Sequence, residues 1–300
     1  MSLSRYKKYF TDPYYSIGNM WLIHSPKTMP DAYYLRVLWK NRMGYPLDLK
    51  NPKTFNEKIQ WLKLYDRNPL YIKLADKVEV KKWVANKIGE KYVVPTIGVY
   101  DKPEQIEWSM LPSQFVLKCN HDYGSVIICK DKKKFDKQAA IQKLNNCLSR
   151  NFWWYYREWV YKNIPPKILV ETYMEQENGE LNDYKFLCFG GKSECSFVCT
   201  NRNSNNGMNV TFFDREWNRL PFERTFKASL VEIPKPSNYD LMLHLAESLS
   251  LGFRFVRVDF FEVKGNVYFG EMTFYPGAGF EAFQPTIWDE RIGEWLFLNK

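Results

Sequence analysis

The chain of 300 residues has no C-x-x-C pair, no apolar run approaching eighteen residues, no D-x-D triplet, no internal repeat and no low-complexity stretch. Each absence excludes something. Without C-x-x-C spacing, the six cysteines (Cys119, Cys129, Cys147, Cys188, Cys195 and Cys199) do not form a sequence-encoded metal or dithiol centre. Several lie inside apolar, strand-like runs, where a thiol behaves as a small hydrophobe, so reduced packing residues are expected. Without a long apolar run no membrane-spanning helix is expected, and residues 1–10 lack the continuous apolar core of a signal peptide. The expected location is cytoplasmic, with at most peripheral contact at the inner face of the membrane. Without D-x-D, sugar transfer from a nucleotide donor in its common metal-dependent form loses its metal motif.

What is present points to a globular protein with anionic partners. Hydrophobic residues make up 45% and charged residues 26%, a balance that excludes a disordered class. The 17% aromatic share is high enough that many rings must lie at the surface or in a cleft. A formal charge of +9 suits nucleotides, phosphorylated or uronic sugars, nucleic acid or a membrane face. Against nucleic acid, the basic residues are dispersed and no binding module is recognisable; the one run, residues 130–134, reads as a solvated turn.

Helical spacing marks residues 31–40 and 54–65, and Thr54 with Glu57 three residues on is a capping-box start. A helix is expected over 76–88, ending at Gly89, followed by short strands at 93–94 and 97–99. Residues 115–129 read as a hairpin, 136–163 as one helix ended by Pro165-Pro166, and 168–174 as a buried strand running into a linker. Strands at 184–189, 194–200 and 209–213, a helix at 239–249 and a last hairpin complete an α+β order around an antiparallel sheet. The expected division is a helical N-terminal region (1–75) and two α/β subdomains (76–167 and 168–300).

Two distant stretches read as halves of one nucleotide site and suggest an enzyme that uses ATP. Phe115-Val-Leu-Lys-Cys-Asn-His-Asp-Tyr-Gly-Ser-Val126 ends an apolar strand in a lysine and a glycine turn, joining a cation to bare N–H groups that suit a polyphosphate. Arg257-Val-Asp-Phe-Phe261 and Tyr268-Phe-Gly-Glu-Met-Thr-Phe-Tyr-Pro-Gly277 flank a turn at Lys264-Gly-Asn266. Pairing these strands sets Asp259 opposite Glu271, where two hard carboxylates suit Mg²⁺.

The ordered set Asp76-Lys77, Lys118, Val170-Glu171-Thr-Tyr-Met174, Asp183-Tyr-Lys185, Arg257-Val-Asp259, Glu271-Met-Thr273 and Pro276-Gly277 resembles the ATP-grasp superfamily over about residues 76–280. More narrowly, Asn51-Pro-Lys-Thr-Phe-Asn-Glu-Lys-Ile-Gln-Trp-Leu-Lys-Leu-Tyr-Asp-Arg67, Leu111-Pro-Ser-Gln-Phe-Val-Leu-Lys-Cys-Asn-His121 and Arg157-Glu-Trp-Val-Tyr-Lys-Asn163 resemble its TupA-like branch, associated with teichuronopeptide and other bacterial surface polysaccharides. That resemblance implies an ATP-grasp fold in which two α/β subdomains clasp ATP. It also implies roles. Lys77 and Lys118 hold phosphates, with Gly124, Ser125 and neighbouring N–H groups covering them; His121 is either a phosphate donor or an ordinary backbone partner. Glu171 and the backbone up to Met174 meet adenine, and Asp183 lies near the ribose. Asp259, Glu271 and Thr273 are the expected metal ligands. The superfamily usually has asparagine where Thr273 stands, so a second metal ion has a weaker ligand here. Arg257, helped by the Gly277 N–H and Lys185, steadies the reacting phosphate or oxyanion. Phe152-Trp-Trp-Tyr-Tyr156 with Trp159 reads as amphipathic packing, with a sugar-stacking platform as the alternative.

The leading expectation is an ATP- and Mg²⁺-dependent carboxylate–amine ligase. The resemblance suggests a uronic acid or another anionic glycan precursor as the carboxylate, an amino acid as the amine, and contact with polysaccharide-synthesis enzymes. Three alternatives stand beside it: a glycosyltransferase, a sugar phosphotransferase at the same ATP site, and a glycan-binding protein with a decayed site.

Overall fold

The computed structural model describes residues 27–174, 182–201 and 207–298. Part of the expected helical N-terminal region, residues 1–26, lies outside them. The described part opens with α1 (Asp31–Met43) and α2 (Phe55–Tyr65). The Thr54 hydroxyl accepts from the Glu57 N–H and the Glu57 carboxylate returns a bond to the Thr54 N–H, closing the expected capping box. Next come α3 (Leu70–Ala75) and α4 (Glu79–Ile88), which ends at Gly89 with φ 114°. Helix α4 starts three residues later than the sequence pattern suggested. The Asp76 carboxylate accepts from the Val78 N–H at 2.8 Å, holding residues 76–78 in a turn between α3 and α4.

A four-stranded antiparallel sheet follows, built from β1 (Thr96–Tyr100), β2 (Phe115–Cys119), β3 (Ile127–Cys129) and β4 (Ile168–Thr172) in the order β1-β4-β2-β3. Residues 93–94 are not a strand: Val93 forms one isolated bridge to Phe269. Phe115, Leu117 and Cys119 point to one face and pack with Ala140, Leu144 and Cys147 of α5 (Lys137–Leu148). The strand period of two therefore leaves Val116 and Lys118 on the opposite face.

The single helix expected over 136–163 is instead α5, the short α6 (Trp153–Tyr156) and a 3₁₀ turn at Trp159–Tyr161. The break has a physical cause. Arg157 adopts φ 56°, which no helix interior permits, and its guanidinium lies over the rings of Tyr34 (3.9 Å) and Trp153 (4.6 Å) while Nε pairs with Asp31 at 2.9 Å.

The larger sheet comprises β5 (Asp183–Phe189), β6 (Lys192–Thr200), β7 (Asn209–Phe213), β9 (Phe255–Val263) and β10 (Asn266–Thr273), ordered β10-β9-β5-β6-β7 with every pair antiparallel. Helix α7 (Tyr239–Ser250) covers one face with Met242, Leu245, Ala246 and Leu249. A two-stranded ribbon of β8 (Glu223–Arg224) and β11 (Phe283–Gln284) leads into α8 (Ile287–Trp295), a helix absent from the sequence-based expectations. Helix α8 packs on α2: Asp289 accepts from the Asn56 N–H and from its side-chain amide, both at 2.9 Å. The six cysteines are free and buried, and among the described residues no helix is long and apolar enough to cross a membrane.

Candidate active site

Two polar clusters, one on each sheet, both act electrostatically on Lys77. On the small sheet, Val116 pairs with Glu171 and Lys118 with Leu169, so these side chains share the face opposite α5. Glu171 is buried, with one carboxylate oxygen 2.5 Å from Lys118 Nζ and the other 2.5 Å from Lys81 Nζ. Burial pushes this carboxyl upward, but Lys118 and Lys81 outweigh it and hold it below its usual range. Lys81 also donates to the Val94 carbonyl at 2.7 Å and the Thr96 hydroxyl at 2.9 Å. The half-exposed Ile128 lies cross-strand from Val116, adding an apolar patch beside the charges. Glu171 thus grips two lysines here, a different engagement from the adenine contact expected of it.

The glycine turn after β2 is held from within. The Ser125 hydroxyl donates to Asp122 at 2.5 Å and accepts from the Cys119 N–H at 2.8 Å. The buried His121 ring places Nδ1 3.3 Å from Asn120 Oδ1 and Nε2 3.1 Å from the Arg150 carbonyl. Both residues brace the loop, leaving neither ring nitrogen of His121 nor the Ser125 hydroxyl directed outward. Gly124 has φ 96°, and a Cβ added there would meet nothing within 4 Å, so its backbone faces open space. Lys77 reaches this loop twice: its N–H donates to the Asn120 carbonyl at 3.1 Å and its ammonium donates to the Asp122 carbonyl.

On the large sheet, cross-strand register gathers the second cluster. Lys185 faces Asp259, Asp259 faces Glu271, and Arg257 faces Thr273, so all five side chains project from the same sheet face. A bulge at Gly270 sets this register; a Cβ there would meet the Phe261 ring at 3.0 Å and the Asp259 carbonyl at 3.2 Å. The turn residues Lys264 and Gly265 have φ of 51° and 75°, the pair of positive values a tight hairpin requires.

Arg257 forks onto both Asp259 oxygens at 2.7 Å and extends to Glu271 at 2.6 Å. Lys185 bridges Asp183 at 2.7 Å and Asp259. Against the pull of burial, Asp259 and Glu271 keep Arg257 charged, and Asp183 and Asp259 do the same for Lys185. Burial would raise the Glu271 carboxyl, but Arg257, Lys185 and Lys77 pull it down to about 2. The Thr273 hydroxyl donates to Glu271 at 3.1 Å. Met174 lies half-buried just past β4, and Gly277, with φ 57°, is exposed in the turn at Pro276–Gly279.

Lys77 joins the clusters electrostatically. Burial lowers its pKa, Glu271 and Asp122 oppose that, and Lys118 adds to it. Three lysine ammoniums (Lys77, Lys81 and Lys118) against the carboxylates of Glu171 and Asp122 leave a positive surplus suited to a polyphosphate. In the large-sheet cluster, three carboxylates meet two cations, and the Glu271 side chain is 40% exposed. That residual negative charge fits a divalent cation through Glu271 and Asp259, although among the described residues no group of three acid, histidine or cysteine side chains forms a ready metal cage.

The TupA-like ATP-grasp family model matches residues 57–297. The chain belongs to the TupA-like ATP-grasp family. Its fold is therefore the ATP-grasp fold, in the α+β class read from the sequence. No curated protein matches the chain. Among solved structures, it is similar to the D-alanine–D-alanine ligase from Bacillus anthracis complexed with ATP (17% identity, 67% of this chain and 54% of that one, TM-score 0.39). It is similar also to the L-amino acid ligase from Bacillus licheniformis (12% identity, 85% and 57%, TM-score 0.44). The chain thus spans about half the length of these solved structures.

The sequence reading names Lys77 and Lys118 as phosphate-holding residues and leaves Lys81 out. The available signal was its place four residues after Lys77 in the helix read over 76–88; the observed helix begins only at Glu79, so Lys77 itself stands in the preceding turn.

Proposed function

We propose that this ATP-grasp protein is an ATP- and Mg²⁺-dependent carboxylate–amine ligase acting in cell-surface polysaccharide synthesis. The observation that carries this reading is the pair of ion clusters, Lys118 and Lys81 on Glu171 in one sheet and Arg257 on Asp259 and Glu271 in the other, with Lys77 under the electrostatic influence of both. Triphosphate oxygens would be held by Lys77, Lys118 and Lys81, with the Gly124 backbone approaching closely because no side chain intervenes. Mg²⁺, when bound through Asp259 and Glu271, supplies charge neutralisation on the phosphates.

Arg257 is tied to both metal-side carboxylates and kept charged, so its guanidinium is positioned for a transferring phosphoryl group and for the oxyanion formed when an amine attacks. Lys185 fixes Asp259 from the other side. The γ-phosphoryl passes to a carboxylate, giving an acyl phosphate, and an amine displaces phosphate to form an amide. A uronic acid or related glycan carboxylate and an amino acid are the proposed substrates; family membership and the chain's net positive charge support them. The same reading puts the protein in the cytoplasm, in contact with polysaccharide-synthesis enzymes at the inner membrane face, and gives it no nucleic-acid partner.

Incubation with ATP, Mg²⁺, pooled uronates and amino acids should release ADP and phosphate and add the mass of the amine to the acceptor. Formation of AMP, or no nucleotide turnover with any acceptor pool, would overturn the reading. Gain of phosphate mass on the acceptor would favour a sugar phosphotransferase.

A further inference from the structure

The face of the large sheet that carries the Arg257 array also carries a second ion pair, which the chemistry above leaves unused. Cross-strand pairing sets Phe212 beside Phe197, Phe197 beside Lys185 and Lys185 beside Asp259, so these side chains form one row on one face. Ser196 points the other way, its hydroxyl 3.3 Å from the Tyr239 hydroxyl of α7. Arg224, on β8, lies over the aromatic end of the row: its guanidinium carbon is 5.4 Å from the centre of the Phe197 ring, 5.5 Å from Phe212 and 5.8 Å from Phe283. The Arg257 guanidinium is 6.0 Å from the same Phe197 ring. Two cations therefore flank one phenyl ring, no farther apart than those two distances taken together.

Glu281 completes the pair, with Oε2 2.9 Å from Arg224 Nε. Its place is fixed by the chain around it. The Glu281 carbonyl accepts from the Asn56 side-chain amide at 2.9 Å, and Phe283, two residues on, pairs with Arg224 across the β8–β11 ribbon. The carboxyl lies against Gly277: a Cβ added to that glycine would stand 2.3 Å from Oε2. Glu281 thus links Arg224 to the turn that follows the strand carrying Glu271 and Thr273.

The pair is under-bonded. Arg224 is only 6% exposed and carries five N–H donors, yet among the described residues none of them makes a hydrogen bond. Glu281 Oε2 is sealed from solvent and accepts none either, because the 2.9 Å contact lacks hydrogen-bond geometry. The Glu281 side chain as a whole is 26% exposed, so the pair can be reached from outside. A buried guanidinium without an acceptor is costly unless a ligand brings one. The ligand that suits this pair carries both charges: two anionic oxygens for the guanidinium fork and a cationic N–H donor for the carboxylate. An α-amino acid has both on one carbon.

We propose that Arg224 and Glu281 form the subsite for an α-amino acid that serves as the amine substrate, Arg224 taking its α-carboxylate and Glu281 its ammonium. This rests on the ligase reading above and adds to it the residues on the amine side. Contact of Glu281 with Gly277 sets the nitrogen beside the turn at Pro276–Gly279, toward the reacting centre. The Phe197 ring stands between the two arginines and sorts the two carboxylates. The one to be phosphorylated goes to Arg257, and the amino acid's own carboxylate stays on Arg224, away from the phosphates.

Binding is measured first, on the wild-type protein without nucleotide. Each common amino acid is titrated by calorimetry. At least one should bind, and its carboxamide and its N-acetyl derivative should each bind at least tenfold more weakly, since each removes one of the two charges. Arg224→Lys, which keeps the charge but not the fork, and Glu281→Gln should show the same loss with the parent amino acid. The wild-type comparison decides the matter if either variant fails to fold. No binding by any amino acid, or undiminished binding by either derivative, would overturn the assignment. Turnover with ATP, Mg²⁺ and pooled uronates then separates the subsite from the reaction. ADP release that requires the amino acid and fails with its carboxamide supports both. Equal release with the two overturns the subsite and leaves the ligase reading standing. Amino-acid binding with no ADP release from any acceptor pool overturns the ligase reading and leaves an amino-acid site without that reaction.

Discussion

Lys81 and Lys118 hold opposite oxygens of the same Glu171 carboxylate, each at 2.5 Å. One lysine comes from helix α4 and the other from strand β2, so the carboxylate pins a helix to a sheet while setting the spacing of two charges. Replacing it by glutamine removes the common anchor. Calorimetry should show Mg·ATP affinity falling about tenfold or more for Glu171→Gln, the order expected when hydrogen bonds to charged groups worth roughly 1.5–3 kcal/mol are disturbed. Lys81→Ala should resemble it, and an unchanged affinity in both would remove Lys81 from the cradle.

Arg257 is required as a fork. Lysine in its place retains charge but cannot span both Asp259 oxygens and Glu271, so Arg257→Lys should lose turnover by about a hundredfold or more. Arg257→Ala leaves the buried Asp259 with only Lys185 and should cost about 3–5 kcal/mol in urea unfolding. Adding Asp259→Asn to that variant should recover part of the loss, a coupling that a double-mutant cycle measures.

Two glycines separate binding from stability. At Gly124 an added Cβ meets nothing within 4 Å, so Gly124→Ala should lower Mg·ATP affinity while costing only the strain of φ 96°, about 1 kcal/mol. At Gly279 it would lie 2.5 Å from Gln60 Nε2 and 2.7 Å from an Ile59 methyl, with φ 64°. Gly279→Ala should therefore lower the melting temperature more than Gly124→Ala does. The reverse order would contradict the packing described for the turn at Pro276–Gly279.

Asp289 gives a pH dependence of known sign. Burial lifts its carboxyl to about 6, against the bonds from Asn56 that favour the charged form. A folded-state pKa above the unfolded value of about 3.9 means that its stabilising contribution is complete below that value and is lost as pH rises through about 6. Unfolding free energy of Asp289→Asn, measured against wild type from pH 4 to 7, should show a shallower decline, the difference amounting to roughly 2–3 kcal/mol across the window. Parallel curves would refute this.

The hairpin was legible because its signals are local and agree, with alternation along 257–261 and a Lys-Gly turn; Asp259 does stand opposite Glu271, but through the bulge at Gly270, since the two-residue turn pairs Val263 with Asn266 and equal arms alone would set Asp259 against Gly270. The capping box at Thr54 was legible for the same reason. The helix expected over 136–163 failed because aromatic residues at 152–156 mimic helical spacing, whereas the tertiary grip of Tyr34, Trp153 and Asp31 on Arg157 decides the backbone there. Lys81 was hidden by the same limit: a lysine on a helix reads as solvated until the strand carrying Glu171 is brought beside it. Likewise, the commitments of His121 and Ser125 to their own loop depend on Arg150, Asn120 and Asp122 being folded around them.

The thiols divide evenly between the two halves. Cys119, Cys129 and Cys147 belong to the core beneath the small sheet, and Cys188, Cys195 and Cys199 to the core of the large one. Each is sheltered, so alkylation in the native state has to wait for a breathing motion that uncovers it. A mass spectrum taken during slow labelling is then a clock with two hands: adducts arriving in threes name the half that loosens first, and the interval before the second set measures how independently the halves let go.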